Sequence, residues 1–501
     1  MTAKTLVVCA DAVDQRLLDR WKDDLENLTR IRKEGVDTEL RSTLPAVTGI
    51  AWPTIMTGKT PGKTGVSSFI DEDKLISRRS IQSRCLWELA DDAGLSVCSV
   101  NVPVSYPPDD LEHGVVVSGM MTPGDATDWV SPATLADELP KPEFDAGHAP
   151  KDVLLSGIDR RTEFTLDLLD REEWDLFITT FMETDRGGHS LLLPTDDGGV
   201  EGYDDLREIY VAFDEALGSL LKAAEPENVI ILSDHGFGRC PTQFVNMHHW
   251  FEERGYLELD KSGPAVSKER VERLLDITNV AERIPKTIRQ LGRRLLPSER
   301  TTAEDATGES TATYEENPNG GGVRILHADD STVETLISEL RSFTDSSTGE
   351  NVFDEVIRRG ELYSGPFTDQ FPDILVFPSE RHHPRPVAGG TTFESIPTNS
   401  RDIVVHRRNG VFLAAGEAFD GTNSFDSPIE SWDAMPTLCH LLDILVPEDV
   451  DGSVQTQLFA TGSDPDDREV TVGSPSVLSQ SAEEGTDDGD VRERLEDLGY
   501  L

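Results

Sequence analysis

The 501-residue sequence contains no run of about 18 apolar residues, so it offers no candidate for a membrane-spanning helix. Cysteine is scarce. Cys9, Cys85, Cys98, Cys240 and Cys439 are an odd number, widely spaced and without a C-x-x-C pair, which excludes a disulfide framework and a cysteine-type zinc knuckle. Met1 to Ala10 has neither the charged start nor the long apolar centre of an export signal, and the expected compartment is the cytoplasm. Basic residues are also few, 46 against 94 acidic ones, giving a formal charge of -48. A chain of that sign is not expected to bind duplex nucleic acid, whose phosphates demand lysine and arginine.

Such an acidic excess often marks disorder, but 37% hydrophobic content and repeated runs such as "TLVVCA", "NVIILS" and "PDILVF" belong to a chain that folds. The acids are spread along the sequence and are not gathered in a tail. That pattern suits a protein adapted to concentrated salt, where the Debye length shrinks to about 3 Å at 1 M and self-repulsion is relieved.

The first element, "KTLVVCADAVD", reads as a strand that delivers Asp11 to its end and turns into a helix through Leu17, Leu18, Trp21 and Leu25. Ile81 to Ala93 reads as a helix, "LSVCSV" and "HGVVVSG" as strands, Thr162 to Leu169 as a helix and "WDLFITTFM" as a strand. Tyr203 to Ala223 is a longer helix, followed by the strand "NVIILSD". This alternation predicts a mostly parallel sheet covered on both faces. The rhythm breaks between about 245 and 322, which reads as a helical and loop insertion. Within it, Lys268 to Arg300 gathers nine basic residues. A membrane contact is one reading of that stretch, and pairing with the protein's own acids is the favoured one. The main domain is expected over 1–462, a flexible acidic linker over 463–490, and an amphipathic segment over 491–501 with Leu495, Leu498 and Leu501 on one face.

Strand ends carry the chemistry. Asp11 follows one apolar run, Asp185 and His189 follow a second in "FMETDRGGH", and Asp234 and His235 follow a third in "SDHGFG". One such residue is ordinarily a helix cap or a structural histidine. Several carboxylates converging on one sheet edge would repel unless a cation neutralised them, and the mixture with imidazole suits Zn²⁺ or a similar divalent ion. The stretch from Ser42 to Phe69 is dense in Pro, Thr and Gly and reads as a shaped loop whose hydroxyls are caps or a nucleophile.

These motifs, in order, resemble the alkaline phosphatase superfamily and, within it, the type I phosphodiesterase and nucleotide pyrophosphatase family. The resemblance runs from Leu6 to about Ala460 through Asp11, "PAVTGIAWPTIMTGKTPG", "NVPVSYPP", "DRGGH", "SDHGFG", "ELYSGP", "FPDILVF" and "HRRNGVFLAAG". It implies an α/β fold of the alkaline-phosphatase type, a three-layer sandwich with helices on both faces of a mostly parallel sheet. It also implies two divalent ions, Zn²⁺ foremost and Mn²⁺ or another as alternatives. One would be held by Asp11, Asp234, His235 and the nucleophile, the other by Asp185, His189 and a distant histidine matching His406 in "VVHRRNGVF". Counting back from Thr57 gives Thr48 as nucleophile, with Thr43, Thr54 and Thr57 as competitors. The implied reaction passes through a phosphorylated Thr48, which water then cleaves. The substrate would be a small phosphate ester, preferably a diester, with a monoester as the alternative.

Two departures stand out. Thr64 occupies a place where many relatives carry His, and Phe69 replaces an Asn that helps hold phosphoryl oxygens, which tells against a nucleotide more than against hydrolysis. A sulfatase would need a C/S-x-P-x-R signature, which is absent, and a cofactor-independent phosphoglycerate mutase would place its insertion soon after the nucleophile. A metal-binding scaffold without activity is the alternative from another class.

Overall fold

The computed structural model describes residues 3–71, 74–143, 147–195, 199–259, 306, 308, 310–317, 320–397, 404–419 and 428–474. The basic stretch Lys268 to Arg300, the segment 491–501 and the linker beyond residue 474 lie outside them. Two compact units are present, one built from 1–240, 360–370 and 398–501, the other from 241–359 and 371–397.

The apolar runs of the first unit form a nine-stranded sheet. In chain order its strands are β1 (Thr5–Ala10), β2 (Val36–Arg41), β3 (Val97–Val102), β4 (Gly114–Ser118), β5 (Val130–Ser131), β6 (Leu176–Phe181), β7 (Asn228–Leu232), β10 (Asn409–Gly416) and β11 (Ile429–Glu430), while a short pair, β8 (Gly236–Arg239) and β9 (Val405–Arg407), stands apart from it. The spatial order is β11-β2-β10-β7-β1-β6-β3-β4-β5. Its centre, β7-β1-β6-β3-β4, is parallel, and β10 is antiparallel to both of its neighbours. Every residue of β1, β3, β6 and β7 is buried, Ser99, Asn101, Thr179 and Thr180 included, as strands of a doubly covered parallel sheet should be. The layered, mostly parallel α/β fold expected from the sequence is therefore present.

Register decides what emerges where. Cys9 lies opposite Leu232 on one side, and Ala10 lies opposite Phe181 on the other, so the chain following β1, β6 and β7 leaves the sheet along one edge. That edge is where open α/β sheets build sites.

Several elements differ from the sequence reading. After helices α1 (Gln15–Arg20) and α2 (Glu26–Glu34), the stretch read as a loop from Ser42 contains helix α3 (Thr48–Thr57), every residue of which is buried. Gly49, Pro53 and three threonines hid it, because each has poor intrinsic helix propensity; burial of Ile50, Trp52, Ile55 and Met56 in the core overrides that preference. Gly58 ends the helix in the left-handed region, φ 64°, a conformation that a residue with a Cβ resists. The helix expected from Ile81 begins at Leu86, and the one expected from Thr162 begins at Lys151. Residues 463–474, read as linker, carry a short helix (Asp464–Asp467) and a two-residue strand beside Val446–Pro447.

The second unit holds a four-stranded antiparallel sheet, in the order Ala312–Asn317, Gly320–Ile325, Ile374–Pro378 and Phe353–Arg358, and a three-stranded sheet centred on Gln243–Asn246. Its core gathers Trp250, Phe251, Leu336, Leu340 and Phe343. His248 is buried there, 3.0 Å from Thr313 Oγ1 and 3.1 Å from the Tyr314 backbone nitrogen, which is a core role. Among the described residues no helix is long and apolar enough to cross a membrane.

Candidate functional site

Each strand end at the sheet edge presents a different part of the site. Asp11 follows β1, and its backbone N–H donates to the carbonyl of Phe181 at 2.9 Å. Asp234 and His235 form the turn after β7. Gly410 lets the neighbouring strand pass close to this turn, since a Cβ there would meet the Ser233 carbonyl oxygen at 2.3 Å. Asp185 and His189 do not end a strand, as the apolar run suggested; they sit on a helix, Glu183–Leu191, where a spacing of four places both on one face. His406 arrives on β9, opposite Phe237 of β8. In the same helix Gly188 leaves room for Phe237, whose ring would lie 2.7 Å from an added Cβ and which packs edge-on to His189 with centroids 4.7 Å apart.

Six of the residues singled out by sequence fall into two groups, Asp11 with Asp234 and His235, and Asp185 with His189 and His406. Within each group, one possible ligand atom per residue lies within 4.8 Å of the others. His235 Nε2 is 3.1 Å from Asp234 Oδ2 and 3.7 Å from Asp11 Oδ1. Asp185 Oδ1 is 3.3 Å from His406 Nε2 and 3.5 Å from His189 Nε2. The carboxylates of both groups are fully buried.

Thr48, at the first turn of α3, brings its Oγ1 to 3.1 Å from His235 Nε2. Its competitors are turned elsewhere. Thr43 Oγ1 donates to the Pro45 carbonyl at 2.7 Å, Thr54 Oγ1 to that of Ile50 at 3.0 Å, and Thr57 Oγ1 to that of Pro53 at 2.6 Å.

Burying this many carboxylates is costly unless cations meet them. Burial, with Asp234 and Asp185 nearby, holds the Asp11 carboxyl well above its ordinary range, and burial with Asp185 does the same to Asp234. Burial also acts upward on Asp185, but His189, His406 and Arg186 outweigh it and keep that group ionised. The imidazoles move the other way: burial takes His189 down to about 3 and His235 well below its usual value. Among the described residues, Asp11 Oδ1, Asp234 Oδ2, both oxygens of Asp185 and His189 Nδ1 have no hydrogen-bond partner. Buried, unsatisfied carboxylate oxygens beside neutral imidazoles are a donor set that fits divalent transition-metal ions.

Three contributors were not anticipated from sequence. Trp52 donates its indole N–H to Asp11 Oδ2 at 3.0 Å. The Arg186 guanidinium, 1% exposed, lies 3.4 Å from Asp185 Oδ2. The carbonyl of Ala46 accepts from His406 Nδ1 at 2.9 Å, leaving Nε2 to face Asp185. Spacing offered a signal only for Trp52, one helical turn beyond Thr48.

Residues 5–379 match the family model described as type I phosphodiesterase / nucleotide pyrophosphatase. No curated protein is significantly similar in sequence. Among solved structures, the chain is similar to murine ectonucleotide pyrophosphatase / phosphodiesterase 5, inactive and in complex with AMP, with a TM-score of 0.52 at 14% identity over 91% of this chain and 100% of that one. The human counterpart gives a TM-score of 0.48 at 14% identity, over 90% of this chain and 97% of that one. At these identities the likeness concerns the fold.

Proposed function

Since this chain belongs to the type I phosphodiesterase and nucleotide pyrophosphatase family, whose members hydrolyse phosphoric ester bonds, we propose that it cleaves a small phosphate ester through a phosphothreonine at Thr48, with two divalent ions held nearby. The observation that carries this reading is the 3.1 Å approach of Thr48 Oγ1 to His235 Nε2, while Thr43, Thr54 and Thr57 bond to nearby carbonyls. Asp11, Asp234 and His235 would hold one ion, and Asp185, His189 and His406 the other. When bound, the ions supply Lewis-acid stabilisation of charge on the transferring phosphoryl group.

The chain's own residues do the rest. The first turn of α3 fixes the Thr48 hydroxyl in a buried place, so attack needs little reorganisation. Its oxygen forms the new bond to phosphorus as the ester oxygen departs on the opposite side, and the hydroxyl proton leaves to solvent. In the second step water attacks phosphorus from the side the leaving group vacated. The Thr48–phosphorus bond breaks, the attacking water gives up a proton while the Thr48 oxygen takes one back, and phosphate or a phosphomonoester is released. The Ala46 carbonyl holds the His406 ring in one tautomer throughout.

Diesters are the preferred substrates in this reading, and monoesters the alternative. The working medium is concentrated salt, supported by 94 acidic against 46 basic residues. Turnover of a chromogenic bis-aryl phosphate by the wild type and by Thr48→Ala, each with and without chelator, tests the proposal. Activity lost in Thr48→Ala and in chelator supports it. An inactive wild type with ions bound points to a scaffold.

A further inference from the structure

Asp11 presents two chemically unlike oxygens. Oδ2 accepts the Trp52 indole N–H at 3.0 Å, while Oδ1 has no hydrogen-bond partner among the described residues and faces His235 Nε2 at 3.7 Å. Both side chains are fully buried. We propose that Trp52 is a positioning residue that holds the Asp11 carboxylate so that Oδ1 alone is offered to an ion, and that α3 thereby sets nucleophile and ligand together. This rests on the two-ion reading given above.

The chemistry of the donor matters. Indole nitrogen donates and has no lone pair to offer, so it occupies one carboxylate oxygen without competing for the cation. Once an ion holds the carboxylate in its charged form, a hydrogen bond to it in a buried setting is strong enough to fix its rotation. The ring itself is fixed, because Trp52 belongs to a core cluster with Val47, Ile50, Ile55 and Met56. Trp52 is also four residues beyond Thr48 on α3, and that spacing puts both on one helix face. Movement of this helix therefore displaces the reacting hydroxyl and the carboxylate as one body.

The test compares ion binding in wild type, Trp52→Phe and a control, Trp87→Phe. Trp87 is likewise buried and donates its indole N–H to Asp109 Oδ2 at 2.8 Å, so the control loses the same kind of bond elsewhere. Zn²⁺ is titrated calorimetrically into each metal-free protein. The expected result is two ions in wild type and in Trp87→Phe, with one of the two bound roughly 10- to 100-fold more weakly in Trp52→Phe. Wild-type affinity for both ions in Trp52→Phe overturns the positioning role and leaves the two-ion reading standing. Fewer than two ions in wild type overturns both. If Trp52→Phe does not fold, benzothienylalanine at position 52 keeps the fused ring, replaces the N–H with sulfur and is judged by the same outcomes.

Discussion

The imidazole rings of His235 and His406 stack face to face, centroids 3.7 Å apart and planes inclined by 19°. The two histidines belong to different groups of possible ligands, so the stack is the wall that the groups share. Two imidazolium ions at that separation would repel strongly in a buried setting, so the two rings are not both charged. A divalent ion takes histidine through an unprotonated nitrogen and a carboxylate in its ionised form.

Ion binding should accordingly compete with protons. In the metal-free protein Asp11 and Asp234 have folded pKa values above their unfolded ones. Their stabilising contribution is full below the unfolded carboxylate value near 4 and is lost as pH rises through the folded values. His189, taken down to about 3, acts in the other direction: its contribution is present above about 6.5 and is lost as pH falls toward 3. An ion that replaces the carboxyl protons restores what the rising pH removes. The increase in Tm on adding Zn²⁺ should therefore be larger at pH 8 than at pH 5.5, with protons released on binding. An increase that does not vary with pH would count against the carboxylates as ligands.

Thr48→Ala should lower turnover of the bis-aryl phosphate by about 10⁴-fold or more while Zn²⁺ binding is kept in large part, since the six acidic and imidazole groups remain. Thr48→Ser should keep measurable activity. A steady-state rate for the alanine variant close to wild type would remove the phosphothreonine.

Asp185→Asn removes the negative charge that lies 3.4 Å from the buried guanidinium of Arg186. Breaking a buried charge pair from one side typically costs about 3–5 kcal/mol, and chemical denaturation of the metal-free variant should show a loss of that order. One bound ion should be lost as well. Unchanged stability would mean that Arg186 is balanced by other groups.

The charge of -48 predicts a strong dependence on salt. Raising KCl from 0.1 to 2 M should raise Tm, because screening falls to within a few ångströms and relieves self-repulsion. A Tm that falls with salt would contradict adaptation to a saline medium.

The central strands could be read from sequence because β1 and β7 are nearly continuous apolar runs and β3 and β6 are largely apolar, all buried along their length, and so could the residues that follow them. Helix starts were less legible. At Leu86 the start is marked by Glu88, whose side chain accepts the Cys85 backbone N–H at 2.7 Å, but cysteine is not the usual partner in such a cap. The long helix from Lys151 was read short because Gly157 interrupts it; that glycine lies where a Cβ would come within 3.1 Å of Glu183 Oε1. Trp52 reaches Asp11 through a contact that closes only in three dimensions, and Arg186, although next to Asp185 in sequence, matters to it because both are buried.

Anomalous scattering from crystals grown with Zn²⁺ tests the central claim most directly. Two peaks are predicted in each molecule, one bounded by Asp11, Asp234 and His235 beside Thr48 Oγ1, the other by Asp185, His189 and His406. A single peak, or ions bound only elsewhere on the acidic surface, would contradict it.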